Sequence, residues 1–394
     1  MSGWPTDDDW MQRALELAAR GQGRVEPNPM VGCVLVQDNR LLSEGWHEFF
    51  GGAHAEVNAI RNAQGSVAGC TAYVTLEPCS HFGKTPPCAD ALIEAAVRRV
   101  VIAQPDPNPL VAGKGIERLK SAGIEVDVDV CQNPAADLLA PYLKRTTLQL
   151  PWIIAKWAMT WDGKIATASG DSQWISNEQS RSVVHQIRGR VDGIMVGINT
   201  VLKDDPLLTA RPAGVRQATR IVLDSQARTP IESQICRTAN EFRTLIAVGP
   251  DAEVAKIERL RSTGCEVWQA ETDGPATGLS KQAHSHSANA RLMSLLSELS
   301  RRRMTNVLVE GGSELLGSLF DLRQIDEVHL FLGGKMLGGR EALTPMGGTG
   351  LPKMLESQSL TIRSLTQFEN DVYLVGRVDW SFFKVNFQGM SRNR

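Results

Sequence analysis

The chain has 394 residues, 42% hydrophobic and 22% charged, with a formal net charge of −2. That balance is ordinary for a globular protein with room for two or three separate cores, and it excludes the clustered positive charge that a nucleic-acid backbone demands. There is no apolar run of about eighteen residues to form a membrane span, and the acidic start lacks the apolar core of a secretory leader. The chain is therefore expected in a reducing cytoplasm, with its seven cysteines as thiols.

Asp7, Asp8 and Asp9 precede Trp10, Met11, Ala14, Leu15, Leu17 and Ala18, a helical spacing with an acidic first turn that Gly21 ends. Pro27, Asn28 and Pro29 break the chain before an apolar strand at 30–36, and Asp38 with Asn39 turns it back into a strand at 41–45. Gly51 and Gly52 lead into a helix beginning at His54, with Val57, Ala59 and Ile60 facing a sheet. A strand at 71–75 delivers Glu77, Pro78 and Cys79, and the next helix begins at Cys88. A strand at 99–103, helix 116–122, strand 124–130 and helix 133–148 complete an alternating α/β domain expected to span 1–149.

Pro151 opens a second α/β domain, expected over 150–380, followed by a tail at 381–394 whose last residues fray. Its strands are expected at 152–159, 193–197, 220–224, 243–248, 306–310, 327–332 and 371–375. Ser176 and Gln179 have capping-box spacing for a helix running through Arg188. Residues 272–289, rich in Gly, Ser, Ala and His without an apolar period, read as a mobile surface loop, with His284 and His286 solvated. Cys33, Cys70, Cys131, Cys236 and Cys265 read as buried structural thiols.

Chemistry concentrates between His54 and Cys88. His54, Cys79 and Cys88 offer one imidazole and two thiolates, and three protein donors with a fourth position left to water is the catalytic form of a zinc site. Zinc lowers the pKa of such a water to about 7. Glu56, two residues past His54, is placed to move a proton without competing for the metal. The bland reading makes these residues a core imidazole and small core thiols. A closed structural zinc site would need a fourth protein ligand, for which His47 and His81 are the candidates. In the second domain no G-x-G-x-x-G occurs, but Gly311 and Gly312 follow a strand and open a helix, which suits either an anion at the helix N-terminus or a tight turn.

His-x-Glu with a later Pro-Cys and a second Cys is the signature of zinc-dependent nucleobase deaminases, with one departure: residues 80–87 separate the two cysteines, a loop long enough to fold over the metal. The run Pro78-Cys79-Ser80-His81, then Gly83-Lys84-Thr85-Pro86-Pro87-Cys88, resembles the bifunctional riboflavin-biosynthesis deaminase/reductase. In the second domain Lys156-Trp157-Ala158-Met159, Ser172-Gln173-Trp174-Ile175-Ser176, residues 197–211 and Glu310-Gly311-Gly312 resemble the reductase half of the same enzyme.

The resemblance covers residues 7–377 and implies a three-layer cytidine-deaminase-like zinc domain followed by a dihydrofolate-reductase-like α/β domain. It implies Zn2+ and NADPH as cofactors. The first half would hydrolytically deaminate 2,5-diamino-6-ribosylamino-4(3H)-pyrimidinone 5′-phosphate, and the second would reduce its ribosyl chain to give 5-amino-6-ribitylamino-uracil 5′-phosphate. Asn28, otherwise a turn residue, would then line the pyrimidine pocket. Ala158, Trp174, Thr200, Asp204, Ser225, Gly312, Ser313, Glu314, Leu315, Leu316, Gly317 and Ser318 would contact NADPH. Ser172, Arg188, Leu208, Arg211 and Glu310 would hold the substrate, although by residue type alone Arg188 and Arg211 read as solvated charges. Glu56, Lys156 and Asp204 are the candidates for proton handling, and a homo-oligomer is the expected assembly. The rival readings are a nucleic-acid deaminase fused to a binding module and a non-catalytic, zinc-stabilised interaction protein.

Overall fold

Thr6 starts the first helix with a reciprocal cap: its hydroxyl accepts the Asp9 amide at 3.3 Å, and the Asp9 carboxylate accepts the Thr6 amide at 2.7 Å. Helix α1 (Asp7–Ala19) then buries Met11, Ala14, Leu15, Leu17 and Ala18 along one face. The computed structural model describes residues 5–82, 86–271 and 281–379, and divides into two compact units, Met1–Leu150 and Pro151–Arg394.

In the first unit α1 is followed by β1 (Gly32–Gln37), β2 (Arg40–Trp46), α2 (Ala55–Asn62), β3 (Thr71–Val74) and α3 (Cys88–Glu94). Then come β4 (Arg99–Ile102), α4 (Lys114–Ser121), β5 (Glu125–Val128) and α5 (Gln132–Leu148). The strands lie in the order β2-β1-β3-β4-β5, with β1 antiparallel to both neighbours and the β3-β4-β5 pairs parallel. Alternation along β1 divides its side chains between two cores. Val34 and Val36 pack with Met11 and Ala14 of α1 and Ala135 of α5, whereas Cys33 and Leu35 pack with Ala59, Leu92 and Leu119 of α2, α3 and α4. The result is three layers, helices covering both faces of one sheet.

The approach of α2 to the sheet depends on Gly45 of β2. A Cβ there would stand 2.3 Å from the Ala59 nitrogen and 2.5 Å from the Ala55 oxygen. Any side chain at 45 would push away the helix whose first turn carries Glu56.

The second unit runs β6 (Trp152–Thr160), α6 (Glu178–Arg188), β7 (Gly193–Gly197), α7 (Ile198–Asp204), β8 (Thr219–Leu223), α8 (Gln234–Arg237) and β9 (Thr244–Val248). It continues with α9 (Val254–Ser262), β10 (Glu266–Gln269), α10 (Lys281–Arg301), β11 (Asn306–Val309), α11 (Ser313–Asp321), β12 (Glu327–Gly333), β13 (Leu360–Phe368) and β14 (Asp371–Val378). Nine strands form one sheet in the order β10-β9-β8-β7-β11-β6-β12-β14-β13. All neighbours are parallel from β10 to β12, and the last two pairs are antiparallel. Parallel strands put their carboxyl ends on one edge, where β7, β8 and β11 hand over to α7, the 224–228 turn and α11.

Three local expectations are corrected. The cap of α6 is Asn177, not Ser176: its side chain accepts the Ser180 amide at 2.9 Å while its own N–H donates to Asp371 at 2.7 Å, and this tie to β14 fixes which residue sits at the cap. Residues 281–289 are helical, so the expected loop is at most its first half. Residues 272–280 and the side chains of His284 and His286 lie outside the described residues, as do Gly83, Lys84, Thr85 and the tail from 380. Cys131 is half-exposed, its thiol facing Asp8, while Cys33, Cys70, Cys236 and Cys265 are buried.

Gly45→Ala is expected to destabilise the first unit by roughly 1–3 kcal/mol, the usual cost of overpacking. Urea unfolding of the purified chain measures this, and an unchanged midpoint would show that α2 has room to retreat.

Candidate active sites

Three elements of the first unit converge at the carboxyl end of β3. His54 is the N-cap residue of α2, Cys79 lies five residues past the end of β3, and Cys88 is the first residue of α3. His54 Nδ1 stands 3.2 Å from Cys88 Sγ and 3.6 Å from Cys79 Sγ, and the Cys88 amide donates to Cys79 Sγ at 3.3 Å. Among the described residues these are the one group of His, Cys, Asp or Glu close enough to hold a metal, with donor atoms all within 4.8 Å. The interaction with Cys88 draws the Cys79 thiol down to about 4, and that with Cys79 raises the His54 imidazole. Glu56 is buried in the first turn of α2, its carboxyl raised by burial, and Oε2 has no hydrogen-bond partner among the described residues.

A cavity of about 320 Å³ opens over this cluster, lined by Asn28, His47, Glu56, His81, Asp106 and Arg145 among others. Asn28 Nδ2 meets His47 Nε2 at 3.2 Å, and the other His47 nitrogen meets the Ala53 carbonyl at 3.0 Å, so the imidazole is held at both ends. Neither His47 nor His81 joins the metal-holding group. Asp106 was not anticipated. It accepts the Tyr142 hydroxyl at 3.0 Å and the Asn108 amide at 2.9 Å, and burial lifts its carboxyl to about 6. The signal for it was the proline-punctuated run Gln104-Pro105-Asp106-Pro107-Asn108 immediately after a parallel strand.

In the second unit a cavity of about 780 Å³ collects Ser172, Thr200, Asp204, Ser225, Glu310, Gly312, Ser313, Glu314, Leu315 and Ser318. Gly312 caps α11 with no side-chain hydrogen bond, and a Cβ built there would meet nothing nearer than Thr200 Oγ1 at 3.9 Å. The bare N–H groups of that helix end therefore face open space, the setting of an anion site. Burial raises the Asp204 carboxyl.

Glu310 is the hub of this cavity. Burial alone would raise its carboxyl, but Arg188, with Nε at 2.5 Å and Nη2 at 2.8 Å, outweighs burial and holds it at about 2. Lys156 Nζ lies 3.9 Å from Oε2, the oxygen that Arg188 Nη2 also meets, its ammonium lowered by burial against the pull of Glu310. Arg188 is thus a partner of Glu310 and not a solvated charge. Arg211 is exposed, 3.5 Å from Thr209 Oγ1.

Other expected contacts lie elsewhere. Leu208 is buried with φ +53 and lines, with Arg188, a separate hollow of about 90 Å³. Leu316 and Gly317 face the packed side of α11, where a Cβ on Gly317 would stand 2.3 Å from the Gly347 backbone. Ala158 does not line the large cavity, nor does Trp174, whose exposed ring carries the Arg181 guanidinium at 4.6 Å.

Comparison with known proteins agrees with this division. Residues 5–104 match the cytidine and deoxycytidylate deaminase zinc-binding region, and residues 151–374 match the RibD C-terminal domain. The riboflavin biosynthesis protein RibD of Actinobacillus pleuropneumoniae is 41% identical over 370 residues, 94% of each chain. A solved structure of Acinetobacter baumannii RibD superposes with a TM-score of 0.80 at 35% identity, covering 95% of this chain and 99% of that one. A diaminohydroxyphosphoribosylaminopyrimidine deaminase/5-amino-6-(5-phosphoribosylamino)uracil reductase from Thermotoga maritima does so with a TM-score of 0.78 at 33% identity, with the same coverage. The chain belongs to the RibD family, the zinc- and NADPH-dependent deaminase/reductases of riboflavin biosynthesis.

Proposed function

We propose that the cavity of the first unit is where the pyrimidinone loses its C2 amino group, and that the large cavity of the second unit takes NADPH beside the ribosyl chain. The observation that carries this reading is the meeting of His54 Nδ1, Cys79 Sγ and Cys88 Sγ beside a buried carboxylate oxygen with no partner among the described residues. The donors fit zinc. Tetrahedral bonds of about 2.0–2.1 Å to nitrogen and 2.3 Å to sulfur put nitrogen and sulfur about 3.6 Å apart, and the separations of His54 Nδ1 from the two sulfurs are 3.2 and 3.6 Å.

Zinc bound to these three donors supplies a water acidified to near neutrality. Glu56 Oε2 is placed to take a proton from that water and pass it to the departing amino nitrogen, so that C2 exchanges its C–N bond for C–O and ammonia leaves. Asn28, held by His47 through Nδ2, keeps Oδ1 to accept a ring N–H. In the other cavity bound NADPH would supply the hydride that C1′ takes up. The N–H groups of Gly312, Ser313, Glu314 and Leu315 at the start of α11 suit its phosphates, with Thr200 beside Gly312 and Ser225 in the same cavity. As the C1′–O4′ bond opens, O4′ needs a proton, and Lys156 Nζ is the donor we favour, with Asp204 as the alternate. Glu310 holds Arg188 and Lys156 in place for this step.

The compartment that goes with this reading is the cytoplasm, supported by seven free thiols and by the lack of any helix long and apolar enough to cross a membrane among the described residues. The assembly is a homo-oligomer. Its support is the outermost strand β13, which exposes Leu360, Ile362 and Leu365. Leu365→Lys should then shift the mass measured by light scattering downward, and a monomeric wild type would refute the assembly outright.

Glu56→Gln is expected to keep one zinc per chain while deamination falls by about 10²–10⁴-fold, the usual contribution of a general acid–base group. The same protein should still oxidise NADPH when given the deaminated intermediate. Loss of zinc would make Glu56 a ligand or folding determinant, and near wild-type deamination would place the proton elsewhere. Gly312→Asp has room for its Cβ, so it should fold yet lose NADPH binding by placing negative charge where phosphate belongs. Unchanged NADPH affinity by calorimetry would reduce the two glycines to a turn.

A further inference from the structure

Glu77 takes part in none of the steps above, yet it is buried at 3% exposure two residues before a metal ligand. Both carboxylate oxygens are fully engaged, and every partner is a main-chain N–H. Oε1 accepts Gly115 at 3.0 Å and Ile116 at 3.3 Å, while Oε2 accepts Gly113 at 3.0 Å and Asp106 at 3.3 Å. Three of these donors belong to the start of α4, whose cap residue, Gly113, offers no side chain of its own. A carboxylate from a distant strand end thus caps the helix, at the end where its dipole favours negative charge.

The same contact grips the chain that carries Cys79. The Glu77 amide donates to the Gln104 carbonyl at 2.9 Å, the Cys79 carbonyl accepts the Ala89 amide at 3.1 Å, and the Pro78 carbonyl lies against Gly115 so closely that a Cβ there would stand 2.0 Å from it. Asp106, whose amide is the fourth donor, is a wall of the cavity above the metal cluster. One side chain therefore ties the metal-bearing loop, the helix behind it and the cavity wall to a common point.

We propose that Glu77 is a positioning residue of the deaminase: it fixes Cys79 Sγ in register with His54 and Cys88, and through Asp106 it sets the shape of the substrate cavity. The proposal rests on the reading of His54, Cys79 and Cys88 as zinc ligands. Four charge-assisted bonds offset the desolvation of a buried carboxylate only while all four are made. A neutral amide of the same size can accept at one oxygen alone, and its NH2 faces donors.

The test uses the full chain. Zinc affinity is measured by competition with a chromophoric chelator, and steady-state deamination is followed at saturating zinc. Wild type must bind one zinc per chain; if it binds none, the ligand reading fails before Glu77 is at issue. Glu77→Gln should weaken zinc binding by about 10–100-fold, the usual effect of losing an outer-sphere support. At saturating zinc it should still show a raised KM for the pyrimidinone phosphate, with NADPH-dependent reduction of supplied intermediate unchanged. Wild-type zinc affinity and KM in Glu77→Gln would overturn the proposal even if the melting temperature dropped, since a merely structural cap would move stability alone. If Glu77→Gln yields no folded protein, Gly115→Ala disturbs the same junction, because its Cβ would press on the Pro78 carbonyl and on Glu77 Oε1. Weakened zinc binding in that variant supports the proposal, and unchanged binding overturns it.

Discussion

An imidazole nitrogen 3.2 Å from one thiol and 3.6 Å from another, with all three donor atoms inside 4.8 Å, is an arrangement that a protein does not assemble for packing alone. As ligands they carry negative charge and lone pairs pointed at one spot, and a cation at that spot relieves the repulsion. Each donor comes from a different element: the start of α2, the chain after β3 and the start of α3. The site is therefore only as good as the packing that sets those elements in register. Gly45 brings α2 onto the sheet, and Glu77 fastens the end of β3 to α4. The stability of the three-layer unit and the geometry of its chemistry are one problem.

The second unit meets a different electrostatic demand. NADPH is polyanionic, yet a carboxylate, Glu310, lines the cavity in which we propose that it binds. Neighbouring cations offset that charge: Arg188 binds Glu310 through two nitrogens, and Lys156 Nζ stands 3.9 Å from Oε2. Backbone N–H groups at α11 add positive potential without adding charge. With the cofactor placed there, the usual dinucleotide fingerprint is not needed, because two glycines at a strand–helix junction expose the helix end without a longer glycine-rich turn.

The part of this legible in the sequence was the part written in local patterns. The meeting of His54, Cys79 and Cys88 was readable because their residue types and spacing suit a metal, and buried strands such as β1 and β9 because apolar runs mark them. β13 was missed because it lies at the sheet edge with nearly every residue exposed, so burial imposes no pattern on it. Helix α10 begins before its buried Leu292, Leu295 and Leu296, since a helix once nucleated extends cheaply into polar sequence that reads as loop. The bond between Arg188 and Glu310 joins residues 122 apart, and no local pattern distinguishes such an arginine from a solvated one. Asp106 and Glu77 owe their roles to tertiary neighbours in the same way.

Deamination and reduction are separate chemistries in that order, and we place them at separate sites. The most direct measurement is to incubate the zinc-loaded protein with 2,5-diamino-6-ribosylamino-4(3H)-pyrimidinone 5′-phosphate, with and without NADPH, following ammonia and product mass together. Without NADPH one equivalent of ammonia should appear and the deaminated ribosylamino-uracil phosphate should accumulate. Adding NADPH should then convert it to the ribityl compound, with one NADPH oxidised per molecule. Ammonia release that waits for NADPH, or NADPH oxidised while the diamino ring stays intact, would mean that the two reactions are coupled or run in the other order.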